Sequence, residues 1–326
     1  MITTRFTDLI GCSVPIQQAA IGGLATPALA TAVAQAGGLG MVSLYGYSPE
    51  VIEQVLNDLR KQISGVFGAN FIMRFVDPAV AVDVVAVAAS KANVVEFFYT
   101  DPDPTLIEIV HAGGALACWQ VGSRAEAVAA VDAGCDFIIA QGIEAGGHVR
   151  GRVGLLALLN EVLEAVAVPV LAAGGIGTGR QMAAVLAAGA DGVRVGTRFI
   201  GAEEAEGHPQ YVNALIAAEA EDTIYTEAFS TGWPNAPHRV LRACVAAADA
   251  FQGEIVGAHE TPLTGEQKPI HRFQSVTIRK VVTGTIEAMP HWAGESVGGV
   301  KKLQPAAEIV HELVGGCEKY LQSWRC

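Results

Sequence analysis

The chain has 326 residues, 51% hydrophobic and 17% charged, a balance that supplies a large core and excludes a disordered polymer. Its formal net charge of −12 repels phosphate backbones and anionic lipid heads, so the expected partner is a small molecule rather than nucleic acid or a membrane surface. No run approaches the ~18 uninterrupted apolar residues of a membrane span, and "MITTRFTDLIG" has no basic segment leading into an apolar one.

In chain order, short apolar or β-branched runs alternate with Ala-rich helical patterns, each opened by a polar cap and often a proline. "PIQQAA" (15–20) predicts a first strand, Thr26 and Pro27 a helix, and "LGMVSL" (39–44) a second strand. Ser48 and Pro49 start the next helix before "FGANFI" (67–72), the third strand. Asp77 and Pro78, then Asp101 and Pro102, predict helix starts on either side of a fourth strand, "VVEFFY" (94–99). "LACWQV" (116–121) is the fifth strand, Ser123 caps a helix, and "FIIAQG" (137–142) is the sixth. "VPVLAAGG" (168–175) and "GVRVGT" (192–197) are the seventh and eighth, joined by a helix over "TGRQMAAVLAAGA".

Near-continuous apolar strands separated by helices belong to a parallel sheet buried on both faces, and eight such units predict an α/β fold of the closed (β/α)8 TIM-barrel type. An open doubly wound sheet would carry GxGxxG after its first strand, and "IGGLATP" does not supply it. From about residue 224, "TGWPNAPHRV" and "GAHETPLTGEQKPIHRF" interrupt the helical period. The expected division is a barrel over 1–223, an inserted lid or substrate lobe over 224–290, and a C-terminal segment over 291–326 whose amphipathic helix packs back on the barrel.

Working residues of such barrels sit on the loops after the strands, and phosphate is commonly held after the seventh and eighth. Gly174 and Gly175 in "AAGGIGTG", with Gly196 and Thr197 in "RVGTR", would let backbone N–H groups approach an anion. Either loop alone reads as a tight turn. Together they point to a bound phosphate, owned by a substrate or a cofactor. Asn70, Gln141 and, less strongly, Gln120 place uncharged amides at strand ends, suited to the edge of a heteroaromatic ring or equally to satisfying nearby backbone.

"AQGIEAGGH" (140–148) carries His148 behind Gly146 and Gly147, where the chain can approach a ligand closely. An unperturbed imidazole, pKa about 6.5, exchanges protons at neutral pH, although a lone loop histidine is more often solvated or capping. His208 and His238 read as helix-start, surface or lid residues. No metal is expected, since Glu144 stands alone and no Cys or His lies at ligand spacing. The six cysteines, Cys12, Cys118, Cys135, Cys244, Cys317 and Cys326, show no CxxC and avoid the loops after strands six to eight, so reduced thiols, a cytoplasmic location and no cysteine nucleophile are expected. A phosphosugar or nucleotide enzyme would need acid and base carboxylates at strand ends, where this reading finds amides and glycine.

Taken in order, "GANF", "AQGIEAGGH", "PVLAAGGI", "GVRVGTRF" and "SVGGVKKLQPAAEIV" resemble the class I nitronate monooxygenases, formerly 2-nitropropane dioxygenases, over nearly the whole chain. The resemblance implies an FMN-dependent barrel with FMN contacts at Asn70, Gln141, Gly146, Gly175 and the stretch Arg194, Val195, Gly196 and Thr197, and with His148 as active-site base. It implies that an alkyl nitronate, such as that of 3-nitropropionate, gives an electron to FMN and that dioxygen completes conversion to a carbonyl compound and nitrite. Departures are Arg194 where glutamine is common, Trp292 and Glu295 where tyrosine and glutamine are common, and Ile21 in the first loop. The alternative on the same scaffold is an NAD(P)H-dependent FMN reductase of enoyl thioesters or quinones. A non-catalytic flavin-binding protein is a further alternative, and a homo-oligomer is compatible with either reading.

Overall fold

The computed structural model describes residues 2–44, 46–261 and 265–323. A six-residue helix, α1 (Arg5–Ile10), precedes a parallel sheet of β1 (Ile16–Gln18), β2 (Gly40–Ser43), β3 (Phe67–Ile72), β4 (Val94–Phe98), β5 (Leu116–Val121) and β6 (Phe137–Gln141). After a two-residue strand, β7 (Gly147–His148), the sheet is completed by β8 (Val170–Ala173) and β9 (Gly192–Val195). The order β1-β9-β8-β6-β5-β4-β3-β2 closes where Gln17 bridges Leu39 in parallel, so the (β/α)8 TIM barrel is the fold. All eight predicted strands are present; β3 and β5 match their apolar runs and the others are one to four residues shorter.

The helices between them are α2 (Pro27–Gln35), α3 (Pro49–Gln62), α4 (Ala81–Ala89), α5 (Pro104–Ala112), α6 (Arg124–Asp132), α7 (Leu155–Leu163) and α8 (Gly179–Ala187). Thr26, Ser123 and Thr178 accept from the amides of Leu29, Glu126 and Gln181 at 3.0, 3.2 and 3.3 Å, satisfying donors that the first turn leaves unpaired. Two predicted starts are misplaced. Asp77 accepts from Ala79 N at 2.9 Å in a turn, and α4 begins only at Ala81. Asp103, followed by Pro104, caps α5, while Asp101 instead pairs with Arg150. Asp77-Pro78 satisfied a turn as well as it would a helix, whereas Asp101 was drawn to the Arg150 guanidinium.

The barrel floor is closed by α1, a helix that carries Phe6 and Ile10 into a cluster with Met41, Val94, Cys118, Phe137 and Leu171. Arg5 anchors it through two bonds to the Asp191 carboxylate at 2.8 and 2.6 Å.

Beyond β9 come α9 (Thr197–Ile200), α10 (Pro209–Ala217), β10 (Thr223–Thr226), β11 (His238–Leu241), α11 (Arg242–Ala250), β12 (Ile255–Glu260), β13 (Gln267–His271) and β14 (Thr283–Gly284). A second core holds Tyr211, Leu215, Phe229, Val240, Cys244, Ile270, Met289 and Val297. Thus α11 is a regular helix in a stretch whose composition suggested only interruption. The final helix, α12 (Ala306–Ser323), buries Ile309, Val310, Leu313 and Cys317. It meets α8 where Gly179 faces Gly316; a Cβ on Gly179 would stand 2.6 Å from the Gly316 Cα. Cys12, Cys118, Cys135, Cys244 and Cys317 are buried and free, and Cys326 lies outside the described residues. Among the described residues no helix is long and apolar enough to cross a membrane.

Candidate active site

Each strand delivers its last residues to the same end of the barrel, and there a cavity of about 360 Å³ opens. Asn70, Gln120, Gln141, Gly146, Gly147, His148, Gly174, Gly175, Arg194, Gly196 and Thr197, scattered over 128 positions of sequence, all line it. Val195 does not; its side chain is buried in the outer core and its carbonyl accepts from Ala19 N at 2.8 Å.

One layer inside the mouth, register puts Gln17 opposite Arg194 and Asn70 opposite Glu96. The fully buried Glu96 carboxylate accepts from Gln17 Nε2 at 2.7 Å, Asn70 Nδ2 at 2.8 Å and Arg194 Nη2 at 2.6 Å. Burial pushes the Glu96 carboxyl up, against the opposing pull of the guanidinium and the two amides. The sequence reading missed this residue, although a single carboxylate inside the apolar run "VVEFFY" was its signal: a charge in a strand buried on both faces must have a partner.

Several buried atoms here lack any partner within the protein: Asn70 Oδ1, Gln120 Oε1, Gln141 Oε1 and Arg194 Nε. Asn70 and Gln141 are oriented by their amide nitrogens, which donate to Glu96 and to the His148 carbonyl, so their oxygens are left as acceptors. Unpaired buried polar atoms are costly, and their convergence on one cavity calls for a ligand bearing both donors and acceptors. A flavin fits that requirement: its ring N–H and ribityl hydroxyls can donate to amide oxygens, and its ring carbonyls can accept from Arg194.

The glycines supply room. Gly147, Gly174 and Gly175 have φ of +70°, +106° and +68°, a region that disfavours side chains. A Cβ on Gly146 would stand 2.3 Å from Gly294 N, because the segment after Trp292 crosses directly over the "GGH" turn. Thr197 Oγ1 accepts from Gly294 N at 3.0 Å, which keeps the hydroxyl proton available to a ligand. Glu144, set aside as a lone carboxylate, caps α7 by accepting from Leu155 N at 2.9 Å.

His148 is not a loop residue. With Gly147 it forms β7, which pairs antiparallel with His238 and Arg239 of β11, so the hairpin of β10 and β11 fixes the backbone that carries the imidazole. Trp233 stacks on the ring at 3.7 Å between centres and 21° between planes, and Trp292 tilts against it at 5.2 Å. Tyr99, held at φ +65°, meets Trp233 edge-on at 4.8 Å. This enclosure, with His238 beside it, pushes the His148 imidazole down to about 3, far from the freely exchanging value its type suggests, and keeps the ring neutral. His148 Nε2 lies 3.5 Å from Ser275 Oγ.

His238 corrects the surface or lid reading. It is fully buried, its Nε2 accepting from Phe229 N at 3.2 Å while Nδ1 faces the Ala236 carbonyl at 2.9 Å. His208 does begin a helix, its Nδ1 accepting from Gln210 N at 3.2 Å. Of the departures, Ile21 and Trp292 line the cavity, whereas Glu295 pairs with Arg239 at 3.2 Å. Trp233 and Ser275 also line the cavity and carry no motif that marks them in the sequence, and Ser296, the first residue of "SVGGVKKLQPAAEIV", lines it without having been singled out.

The sequence matches the family described as nitronate monooxygenase over residues 3–81 and 76–316. A probable nitronate monooxygenase of Staphylococcus aureus is 25% identical over 98% of both chains. Among solved structures, FabK from Thermotoga maritima is 30% identical with a TM-score of 0.82, covering 100% of this chain and 99% of that one. A nitroalkane oxidase from Streptomyces ansochromogenes is 28% identical with a TM-score of 0.78, covering 98% of this chain and 100% of its own.

Proposed function

The chain belongs to the nitronate monooxygenase family, and from that premise we propose that this flavin-dependent oxidoreductase uses FMN and dioxygen to convert alkyl nitronates into a carbonyl compound and nitrite. The observation that supports this most is the convergence of a neutral, enclosed imidazole with the unpartnered atoms of Asn70, Gln120, Gln141 and Arg194 on one cavity.

FMN, when bound, supplies the redox chemistry. Asn70, Gln120, Gln141 and Arg194 would hold its ring, and the backbone around Gly146, Gly147, Gly174, Gly175, Gly196 and Thr197 would hold its phosphate. His148 presents a neutral Nε2 to the substrate. From a neutral nitroalkane that atom accepts the α-proton, and the nitronate left behind stabilises the imidazolium as its counterion. Because burial makes the free imidazole a weak base, a nitronate that arrives already deprotonated is the better substrate, and towards it His148 orients the nitro group.

The test is an anaerobic spectrum of the purified protein titrated separately with a nitronate and with NADPH. Loss of the flavin bands on adding the nitronate is expected. Rapid bleaching by NADH or NADPH with no nitronate present would instead favour the second reading, a reductase of enoyl thioesters or quinones, for which the likeness to FabK at 30% identity speaks.

A further inference from the structure

Among the described residues that line the cavity, Arg194 is the formal cation, no carboxylate is present, and the His148 imidazole is neutral. A flavin ring gains electron density when it is reduced, so a guanidinium standing alone at its site would favour the reduced form. The lining by itself therefore describes a cationic site. The residue behind it changes that.

Glu96 lies outside the lining, is fully buried, and meets Arg194 Nη2 at 2.6 Å. Two other buried arginines, Arg198 and Arg239, also pair with carboxylates, but those of Glu312 and Glu295 are 51% and 40% exposed and screened by water. Glu96 is shut off from solvent, so its charge acts on the guanidinium without that screening. Burial pushes its carboxyl up. Its three neighbours, Gln17 Nε2 at 2.7 Å, Asn70 Nδ2 at 2.8 Å and Arg194, nevertheless all donate and offer a carboxyl proton no acceptor, which holds the group as a carboxylate.

We propose that Glu96 masks the charge of Arg194 at the flavin site, so that the guanidinium offers the ring hydrogen bonds without a net positive field and the reduced ring is left free to pass its electrons on. Glu96 touches neither cofactor nor substrate and acts through Arg194. The inference rests on reading the cavity as a flavin site; it concerns the electron affinity of the cofactor, whichever substrate feeds it.

Sulfite reads the field at the ring without turnover. It adds its lone pair to the oxidised flavin, leaves negative charge on the ring system, and abolishes the flavin bands. In FMN-loaded Glu96→Gln the unmasked guanidinium should tighten sulfite binding at least tenfold over the parent. The two-electron midpoint potential should rise with it, by about 30 mV for each tenfold. The double variant Glu96→Gln/Arg194→Gln, again without net charge at the site, should return to within about fivefold of the parent. Glu96→Asp, which keeps the charge but draws it back from Arg194 by one methylene, should tighten sulfite binding by about threefold, and it decides the matter if Glu96→Gln does not accumulate with flavin bound. Unchanged or weaker sulfite binding in the single variant overturns the inference, because a merely structural role would not make the ring a better acceptor. A double variant outside its range overturns it as well, since the parent ring would then feel a net charge. A parent protein that takes up no flavin on incubation with FMN overturns the flavin reading and the masking with it, whereas flavin-loaded variants that bind sulfite as the parent does overturn the masking alone.

Discussion

Glu96→Gln and Arg194→Gln are near-isosteric changes at the two ends of one buried ion pair, and they should not cost the same. Glu96→Gln leaves Arg194, whose side chain is 9% exposed, without its carboxylate and unable to shed its proton. It also turns an amide donor towards Gln17, Asn70 or Arg194. An uncompensated buried charge of this kind costs about 3–5 kcal/mol, or a fall of about 1–2 M in the urea midpoint. Arg194→Gln leaves a carboxyl that burial already pushes up and that can neutralise itself by binding a proton. Its cost should be smaller, about 1–3 kcal/mol, and should depend on pH. With the cation gone, the folded-state value rises further above the unfolded one, so the protonated group's share of stability is present at low pH and lost as pH rises through the folded value. Urea unfolding of the parent, both single variants and the double variant at about pH 5.5 and pH 8 reads all of this. The double variant, which buries neither charge, should be more stable than Glu96→Gln alone. Equal costs for the two single variants at both pH values, or a double variant at the simple sum, would refute the argument.

How much of this site could be read in the sequence follows from the range of the forces involved. The eight strands and most helices were legible because apolar period, caps and prolines are local signals, and Thr26, Ser123 and Thr178 cap in the structure as their positions suggest. The loops carrying Gly174, Gly175, Gly196 and Thr197 were legible for the same reason, once strand order placed them side by side. What could not be read is long-range pairing. Glu96 acquires meaning only when register sets it beside Asn70 and within reach of Arg194, 98 positions away. His148 looks like a loop residue until β11 pairs with it, and its titration is set by Trp233 and His238, from a segment with no helical period and no motif. The histidine's identity was therefore visible, and its chemistry was not: the sequence suggests a proton exchanger near neutrality, whereas the fold makes it a ring held neutral.

Other consequences are open to measurement. Gly146→Ala would press a methyl group to 2.3 Å from Gly294 N and 2.6 Å from the Ala293 carbonyl carbon, so it should lose about 1–3 kcal/mol and release flavin on ultrafiltration. A variant as stable and as yellow as the parent would show that the crossing can relax. His148→Asn should lower turnover of a neutral nitroalkane by about 10²–10⁴-fold and that of the nitronate by less than about tenfold; equal losses would argue against the base role. The last expectation concerns acid. Burial holds His148 down to about 3 and His291 down to about 4, both below the ordinary histidine value of 6.5. The unfolded chain therefore binds protons at these groups, as pH falls below about 6.5, that the folded chain refuses. Stability is full above that pH and is lost as pH drops towards the folded values, by up to about 1.4 kcal/mol per pH unit for each ring. Burial also lowers His208, His238 and His259; His148→Asn removes one of these contributions, so its urea midpoint should fall less steeply than the parent's between about pH 6.5 and pH 4.5. Parallel slopes would mean that the imidazole takes up its proton in the folded protein as readily as in water, and that the enclosure by Trp233 and Trp292 does not exclude solvent from it.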